Sequence, residues 1–214
     1  ESVYHQQCCN RLFYSMLYYQ RRHFWSRSGA AWNVYLHNDL ADPRMPDHKV
    51  YYFLNTFYLT DEEVAAIEKK VKRNNATVIW SYAPGIQSPD GFTLERVHRL
   101  TGFRVKAVDA EALPRVSLTR FDHPYVRYRR EGDGDHYVRA ARQPDHFGVG
   151  PMGSDERERI TGPLIYVDDP EATVLGELDA LQEPGFCVKQ MDGWTSVFVA
   201  APMLNHYLLR NIAR

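Results

Sequence analysis

The turn Ser81-Tyr82-Ala83-Pro84-Gly85 follows an apolar run, which is where an open α/β sheet would present a nucleophile. A nucleophile elbow reads Gly-x-Ser-x-Gly or Gly-x-Cys-x-Gly, because the sharp turn needs small residues on both sides. Ser81 lacks those glycines, and Pro84 opposes a tight strand-to-helix turn. Cys187 falls in a late hairpin, far from any elbow. A metal would need ligands at close spacing. His123, His136 and His146 fall near Asp122, Asp133, Asp135 and Asp145, but the spacings fit no His-x-x-x-His, Cys-x-x-Cys or EF-hand pattern. Asp133-Gly134-Asp135 is a fragment of a calcium-like loop without its remaining ligands, so the segment reads as a solvated polar loop. Gly148, Gly150 and Gly153 have the spacing of a dinucleotide fingerprint, yet no strong strand precedes them. Pro151 and the charged run Asp155–Arg159 favour a loop. Glycoside hydrolysis needs two carboxylates roughly 5–10 Å apart. With 27 Asp and Glu residues the sequence nominates no pair. The residues therefore assign no catalytic side chain, no metal and no cofactor.

The chain that must position any site has 214 residues, enough for one α/β domain with a core of its own. A (β/α)₈ barrel needs about 250 residues and eight strand-helix repeats. The 26 Lys and Arg against 27 acids give a net charge of −1, without the basic excess of a nucleic-acid binder. No apolar stretch of about 18 residues is present, so no membrane span is expected. Cys8, Cys9 and Cys187 make no disulfide framework, and a reduced compartment such as the cytoplasm fits them. The chain begins at Glu1 and not at Met, and is read as a processed chain or a piece of a longer one. Aromatics reach 13%, suited to core filling, to sugar stacking or to a protein interface.

Periodicity predicts a helix over 3–28, stopped at Ser28-Gly29, and a short strand over Trp32–Leu36. Val50–Leu54 is a continuous apolar run, the pattern of a strand covered on both faces. Thr60-Asp61-Glu62-Glu63 is a capping box. Val64, Ile67 and Val71 then line one helix face, and Asn74-Asn75 can supply a left-handed end. Thr77–Ser81 is a second buried strand, which completes a βαβ unit. A helix near 92–101 and a strand near 103–108 extend the alternation. Residues 115–150 are rich in arginine and weakly periodic. From 162 onward short β runs appear at Leu164–Val167, Thr173–Leu175, Phe186–Lys189 and Ser196–Val199, with a hairpin signal at Asp192-Gly193 and a last helix over Pro202–Ala213.

The run Lys49-Val50-Tyr51-Tyr52-Phe53-Leu54-Asn55-Thr56-Phe57-Tyr58-Leu59-Thr60-Asp61-Glu62-Glu63, and the later stretch from Asn75 through Trp80 to Tyr82-Ala83-Pro84-Gly85, resemble a class I glutamine amidotransferase-like domain. The variant they resemble is the β-galactosidase trimerisation domain, which follows the catalytic barrel in family 42 β-galactosidases. Gly29–Leu36 with Asp39-Leu40, Leu100–Val105, and the C-terminal part from Thr173 through Trp194-Thr195-Ser196 to Arg214 are similar to further parts of it. The resemblance is clearest over 12–110. It implies a flavodoxin-like α/β fold: an open, mostly parallel sheet with helices on both faces, plus a C-terminal β-rich segment. It implies a first strand lying before Glu1. True amidotransferases carry a Cys at the elbow, and this sequence departs there, so no catalytic residue carries over.

Three segments are expected: an α/β core over 1–114, an irregular arginine-rich insertion over 115–160, and hairpins with a closing helix over 161–214 that complete the same domain. The resemblance implies a non-catalytic accessory or oligomerisation domain of a glycoside hydrolase-like, β-galactosidase-related protein, shaping a subunit interface or a substrate cleft. Its partners would be further copies of the chain or a catalytic barrel of the same protein. One alternative is a carbohydrate- or small-ligand-binding module using the carboxyl ends of the strands. There Asn55, Thr56, Phe57, Ser81, Tyr82, Pro84 and Gly85 would line a crevice. Another is a stand-alone hydrolase with an acid pair that the sequence does not reveal.

Overall fold

The computed structural model describes residues 20, 24–54, 56–127, 146–148 and 162–214, with 146–148 as backbone alone. Most of the helix expected over 3–28, Cys8, Cys9, Asn55, His136, Gly150, Gly153 and most of the arginine-rich segment lie outside the described residues. The strands are β1 (Val50–Phe53), β2 (Ala76–Ser81), β3 (Gln87–Ser88), β4 (Gly91–Phe92), β5 (Val105–Val108), β6 (Arg115–Leu118), β7 (His146–Gly148), β8 (Leu164–Val167), β9 (Thr173–Leu178), β10 (Glu183–Met191) and β11 (Trp194–Val199). The helices of more than one turn are α1 (Asp61–Val71), α2 (Leu94–Thr101) and α3 (His206–Ile212). No helix among the described residues is long and apolar enough to cross a membrane.

The βαβ unit forms as its sequence dictates. The Glu63 N–H donates to Thr60 Oγ1 at 3.3 Å, and the Thr60 N–H donates to Glu63 Oε2 at 2.8 Å, which satisfies two donors that the first turn of α1 leaves open. Val64, Ile67 and Val71 are buried, and Asn74 and Asn75 take positive φ where the chain turns back into β2. β1 and β2 pair in parallel, with Val50 opposite Thr77 and Phe53 opposite Trp80.

The rest of the sheet comes from the C-terminal hairpins. Seven strands run in the order β1-β2-β11-β10-β9-β6-β7. β11 lies parallel to β2 on its far side, with Trp194 opposite Ala76 and Val199 opposite Ser81. Asp192-Gly193 closes the tight turn between β10 and β11, with Gly193 at φ 72°. The α/β content and the C-terminal β-rich segment are as expected, but the sheet is mixed rather than mostly parallel. Only β1–β2 and β2–β11 run parallel, while β11–β10, β10–β9, β9–β6 and β6–β7 run antiparallel. The physical reason is loop length. A two-residue turn can join only antiparallel neighbours, and the C-terminal strands follow each other through short turns. The strand expected near 103–108 forms as β5 but leaves the alternation, pairing antiparallel with β8 in a separate ribbon. The strand expected over Trp32–Leu36 does not form.

Position in the sheet decides burial. β2 lies between β1 and β11 and is buried on both faces, apart from Thr77. β1 is an outer strand among the described residues, and its burial alternates: Tyr51 and Phe53 face the core, while Val50 and Tyr52 are half-buried. Trp80 stacks on Phe53 at 4.8 Å and donates from Nε1 to Ser196 Oγ at 3.1 Å, so one side chain ties β1, β2 and β11 together. Cys187 is fully buried in β10, and burial pushes its thiol well above the ordinary range.

Candidate functional site

The parallel strands deliver their carboxyl ends to one place. The Gly85 N–H donates to Thr56 O at 2.7 Å, and the Gln87 N–H donates to Phe57 O at 2.9 Å, so the loop after β2 is laced to the loop after β1. Tyr82 turns the chain at the end of β2 with φ 59°, a left-handed conformation that a bulky residue rarely takes. This is the backbone of an elbow, and its side chain serves as a pin. The Tyr82 hydroxyl donates to Pro163 O at 2.6 Å, and its ring meets Phe57 edge-on at 5.6 Å. Gly85 also has positive φ, and a Cβ there would come within 2.7 Å of Leu100 Cδ1.

Six of the residues expected to line a crevice therefore do gather at the strand ends. All six are buried: Thr56, Phe57, Ser81, Tyr82, Pro84 and Gly85. Asn55 lies outside the described residues. Ser81 is not poised as a nucleophile. Its hydroxyl donates to the Tyr52 hydroxyl at 3.0 Å, which in turn donates toward Gln20 Oε1 at 3.4 Å. Burial pushes the Tyr52 phenol above its ordinary range, against the opposing hydrogen bonds of Ser81 and the Leu204 backbone, so it stays protonated.

Open space lies one step outward, along the flank of β1. A cleft of about 190 Å³ is bounded by the chain from Trp25 to Met45 on one side and by β1 with Leu54 and Thr56 on the other. Ser28 builds one wall. Its hydroxyl donates to Trp25 O at 2.8 Å and accepts from Trp32 Nε1 at 2.9 Å, which sets the two indoles face to face at 5.3 Å and 13°. Tyr52 tilts against Trp25 at 6.3 Å. At the other end His48 lies 3.3 Å from the Tyr35 hydroxyl, and its backbone N–H donates to the Tyr51 hydroxyl at 2.9 Å. No Lys, Arg, Asp or Glu lines the cleft among the described residues. Two buried polar atoms in its lining residues, Trp25 Nε1 and Thr56 Oγ1, have no hydrogen-bond partner. Of the lining residues, the sequence pointed only to Thr56. The signal that could have found the rest is Trp25 and Trp32 flanking a Ser-Gly turn.

A second cleft, about 720 Å³, lies between the loop after Leu40 and α1. Two of its cations are already engaged, with Lys70 and Arg73 each 2.9 Å from Asp47. Of the histidine cluster considered for metal binding, Asp133, Asp135, His136, Asp145 and the His146 side chain lie outside the described residues. His123 Nδ1 accepts the Tyr125 N–H at 3.2 Å at the start of a short turn, and burial with the nearby Arg120 charge lowers its pKa. No group of three His, Cys, Asp or Glu side chains that could hold a metal occurs among the described residues. Every resolved carboxylate shift there is downward. Asp42, Asp47, Glu62, Glu68, Asp122 and Asp169 are held low, either by cations or by backbone and hydroxyl hydrogen bonds.

No family model matches the chain, and no curated protein matches it. Among solved structures, a β-galactosidase from Bacillus circulans sp. alkalophilus is similar to 77% of this chain and 22% of that one, with 15% identity and a TM-score of 0.46. The chain thus spans about a fifth of the length of that structure.

Proposed function

We propose that the chain is a non-catalytic accessory or oligomerisation domain of a glycoside hydrolase-like, β-galactosidase-related protein, shaping a subunit interface or a substrate cleft. The observation that carries this reading is the apolar lip beside β1. Val34, Tyr35 and Leu36 are 59%, 37% and 74% exposed, across a cleft from a strand that is outermost among the described residues. Consecutive exposed apolar residues at a sheet border are what a partner surface would cover. Its partner would be another copy of the chain or a catalytic barrel of the same protein. The resemblance of Lys49–Glu63 and Asn75–Gly85 supplies the protein class. In this reading β1, β2 and β11 are the parallel part of a flavodoxin-like sheet with helices on both faces. Residues 115–160 interrupt a single domain made of 1–114 and 161–214.

The hydrolase alternative needs a particular kind of carboxylate. A glycosidase keeps one acid protonated by a raised pKa. Their downward shifts make Asp47, Glu68 and Asp169 poor candidates for that role. The test is hydrolysis of nitrophenyl β-galactoside and β-glucoside by the purified chain. The reading expects release no faster than buffer. Turnover that scales with protein and survives repurification would overturn it.

A further inference from the structure

We propose that the outer edge of β1 is a strand-addition site, completed by an extended, uncharged peptide segment from outside these 214 residues. The proposal rests on the reading of this flank as an interface and names what the partner brings to it. The hydrogen-bond register decides which backbone groups are open. The Thr77 N–H donates to Lys49 O at 2.8 Å, and Val50 stands opposite Thr77. In a parallel pair alternate residues turn their N–H and C=O to the neighbour, so Lys49, Tyr51 and Phe53 face β2. Val50 and Tyr52 turn theirs the other way. Among the described residues no backbone hydrogen bond reaches the N–H or C=O of either one.

That open row lies along the cleft. Side chains alternate between the two faces of a strand. The cleft touches each of Val50, Tyr51, Tyr52, Phe53 and Leu54 and no residue of β2, so it runs along the edge of the sheet and not over one face. The wall across it is touched at every residue from Ala31 to His37, and Trp32–Tyr35 make no backbone–backbone hydrogen bond among the described residues. A strand laid along β1 lies between two backbones that both have groups to pair. The residues of β1 agree with this. Val50–Leu54 is the continuous apolar run of an interior strand, yet β1 is outermost among the described residues. Outer strands are commonly defended by a lysine or proline within them or by a bulge, and β1 has none of these. The chemistry of the occupant follows from the row it meets. An extended peptide presents one N–H and one C=O at every second residue along an edge, which is what β1 leaves unanswered. No Lys, Arg, Asp or Glu lines the cleft among the described residues, so a charged side chain would find no counter-charge. Each copy's β1 lies behind its own Ala31–His37 wall, which keeps two β1 edges from meeting, so the segment is drawn from outside the chain.

The experiment follows amide hydrogen exchange in the full 214-residue chain by NMR, alone and with a probe peptide. The probe is an acetylated hexapeptide amide of alternating valine and threonine, N-methylated at every second residue so that one edge can pair and the other cannot. Its comparisons are the same peptide N-methylated throughout and a version with lysine in place of threonine. In the chain alone, Tyr51 and Phe53 are protected through β2 while Val50 and Tyr52 exchange fast. The probe slows Val50 and Tyr52 saturably, by about tenfold, the factor that one hydrogen bond supplies, and neither comparison does so. Val50→Pro removes an outward N–H at the first residue of an outer strand, where proline is tolerated, and the probe then no longer protects Tyr52. Should that variant fail to fold, the exchange pattern of the parent and the fully methylated peptide carry the test. Light scattering on the same samples separates the two readings. A parent that stays monomeric fails the interface reading, whereas protection of β1 by the probe in that monomer keeps this site. No effect of the probe on Val50 and Tyr52 overturns the proposal, as does an equal effect of the fully methylated peptide. Protection of both amides without any peptide overturns it too: at every protein concentration it means that the edge is already paired, and if it grows with concentration the occupant is a second copy.

Discussion

At Thr60 the side chain and the backbone exchange hydrogen bonds with Glu63, and this pair was legible from four letters because every atom involved lies within one helical turn. Ser196 shows the opposite case. It accepts the Trp80 Nε1 proton and donates to Thr101 O at 2.5 Å, partners 116 and 95 residues away, and nothing in its neighbourhood announces them. Ser196→Ala leaves the buried Trp80 Nε1 without an acceptor, and the loss of stability in urea unfolding should be about 1–3 kcal/mol. A loss below a few tenths would mean that Trp80 finds another partner. Asp169 gives a pH dependence with a definite sign. Burial raises its pKa, but the Lys189 ammonium at 2.9 Å and the Glu171 and Arg104 N–H groups outweigh that, and the net value is lowered. A carboxylate with a depressed folded value contributes stability above its unfolded value of about 3.9, and loses it as pH falls through the folded value. Asp169→Asn should therefore melt earlier than the parent at pH 7, with the gap closing below about pH 4. A gap that stays constant with pH would contradict the account of this ion pair.

At the scale of elements, the sequence revealed types better than neighbours. The apolar runs of β1 and β2, the apolar face of α1 and the Asp192-Gly193 hairpin form where local pattern put them, since each is set by residues close in sequence. The partner of β2 was not legible. β11 arrives from more than a hundred residues away, and its hairpin with β10 enters the middle of the sheet. Trp32–Leu36 has strand-like residues, yet it forms no strand, because β-propensity records fit to a sheet surface and a cleft separates this segment from β1. The candidate cleft was hidden for a related reason. It is assembled from the turn between Trp25 and Trp32, held by the Ser28 hydroxyl, and from the flank of β1, which follows some twenty residues later. The difference between a central and an outer strand is measurable. Ile79→Ala, in β2, should cost about 2–5 kcal/mol in chemical unfolding, as deletion of a fully buried Ile side chain does. Val50→Ala, half-buried on β1, should cost less than half of that. Equal losses would show that β1 is covered more fully than the described residues indicate.

At the scale of the molecule, the described residues form a mixed sheet with its C-terminal hairpin at the centre, and α3 is tied back to residues 27 and 28. Arg210 donates to Ser28 O at 3.1 Å and to Arg27 O at 2.9 Å. Among the described residues, the Val34–Leu36 lip beside β1 carries three of the four exposed large apolar side chains. The central claim is that this flank is an interface. The most direct measurement is the mass of the purified chain by light scattering over a wide range of concentration, for the parent and for Leu36→Asp. Leu36 is 74% exposed, so the substitution leaves the core untouched. The account predicts a dimer or trimer for the parent and a monomer, or a much weaker assembly, for Leu36→Asp with unchanged circular dichroism. A parent that stays monomeric at every concentration, or a variant that assembles as the parent does, would contradict it.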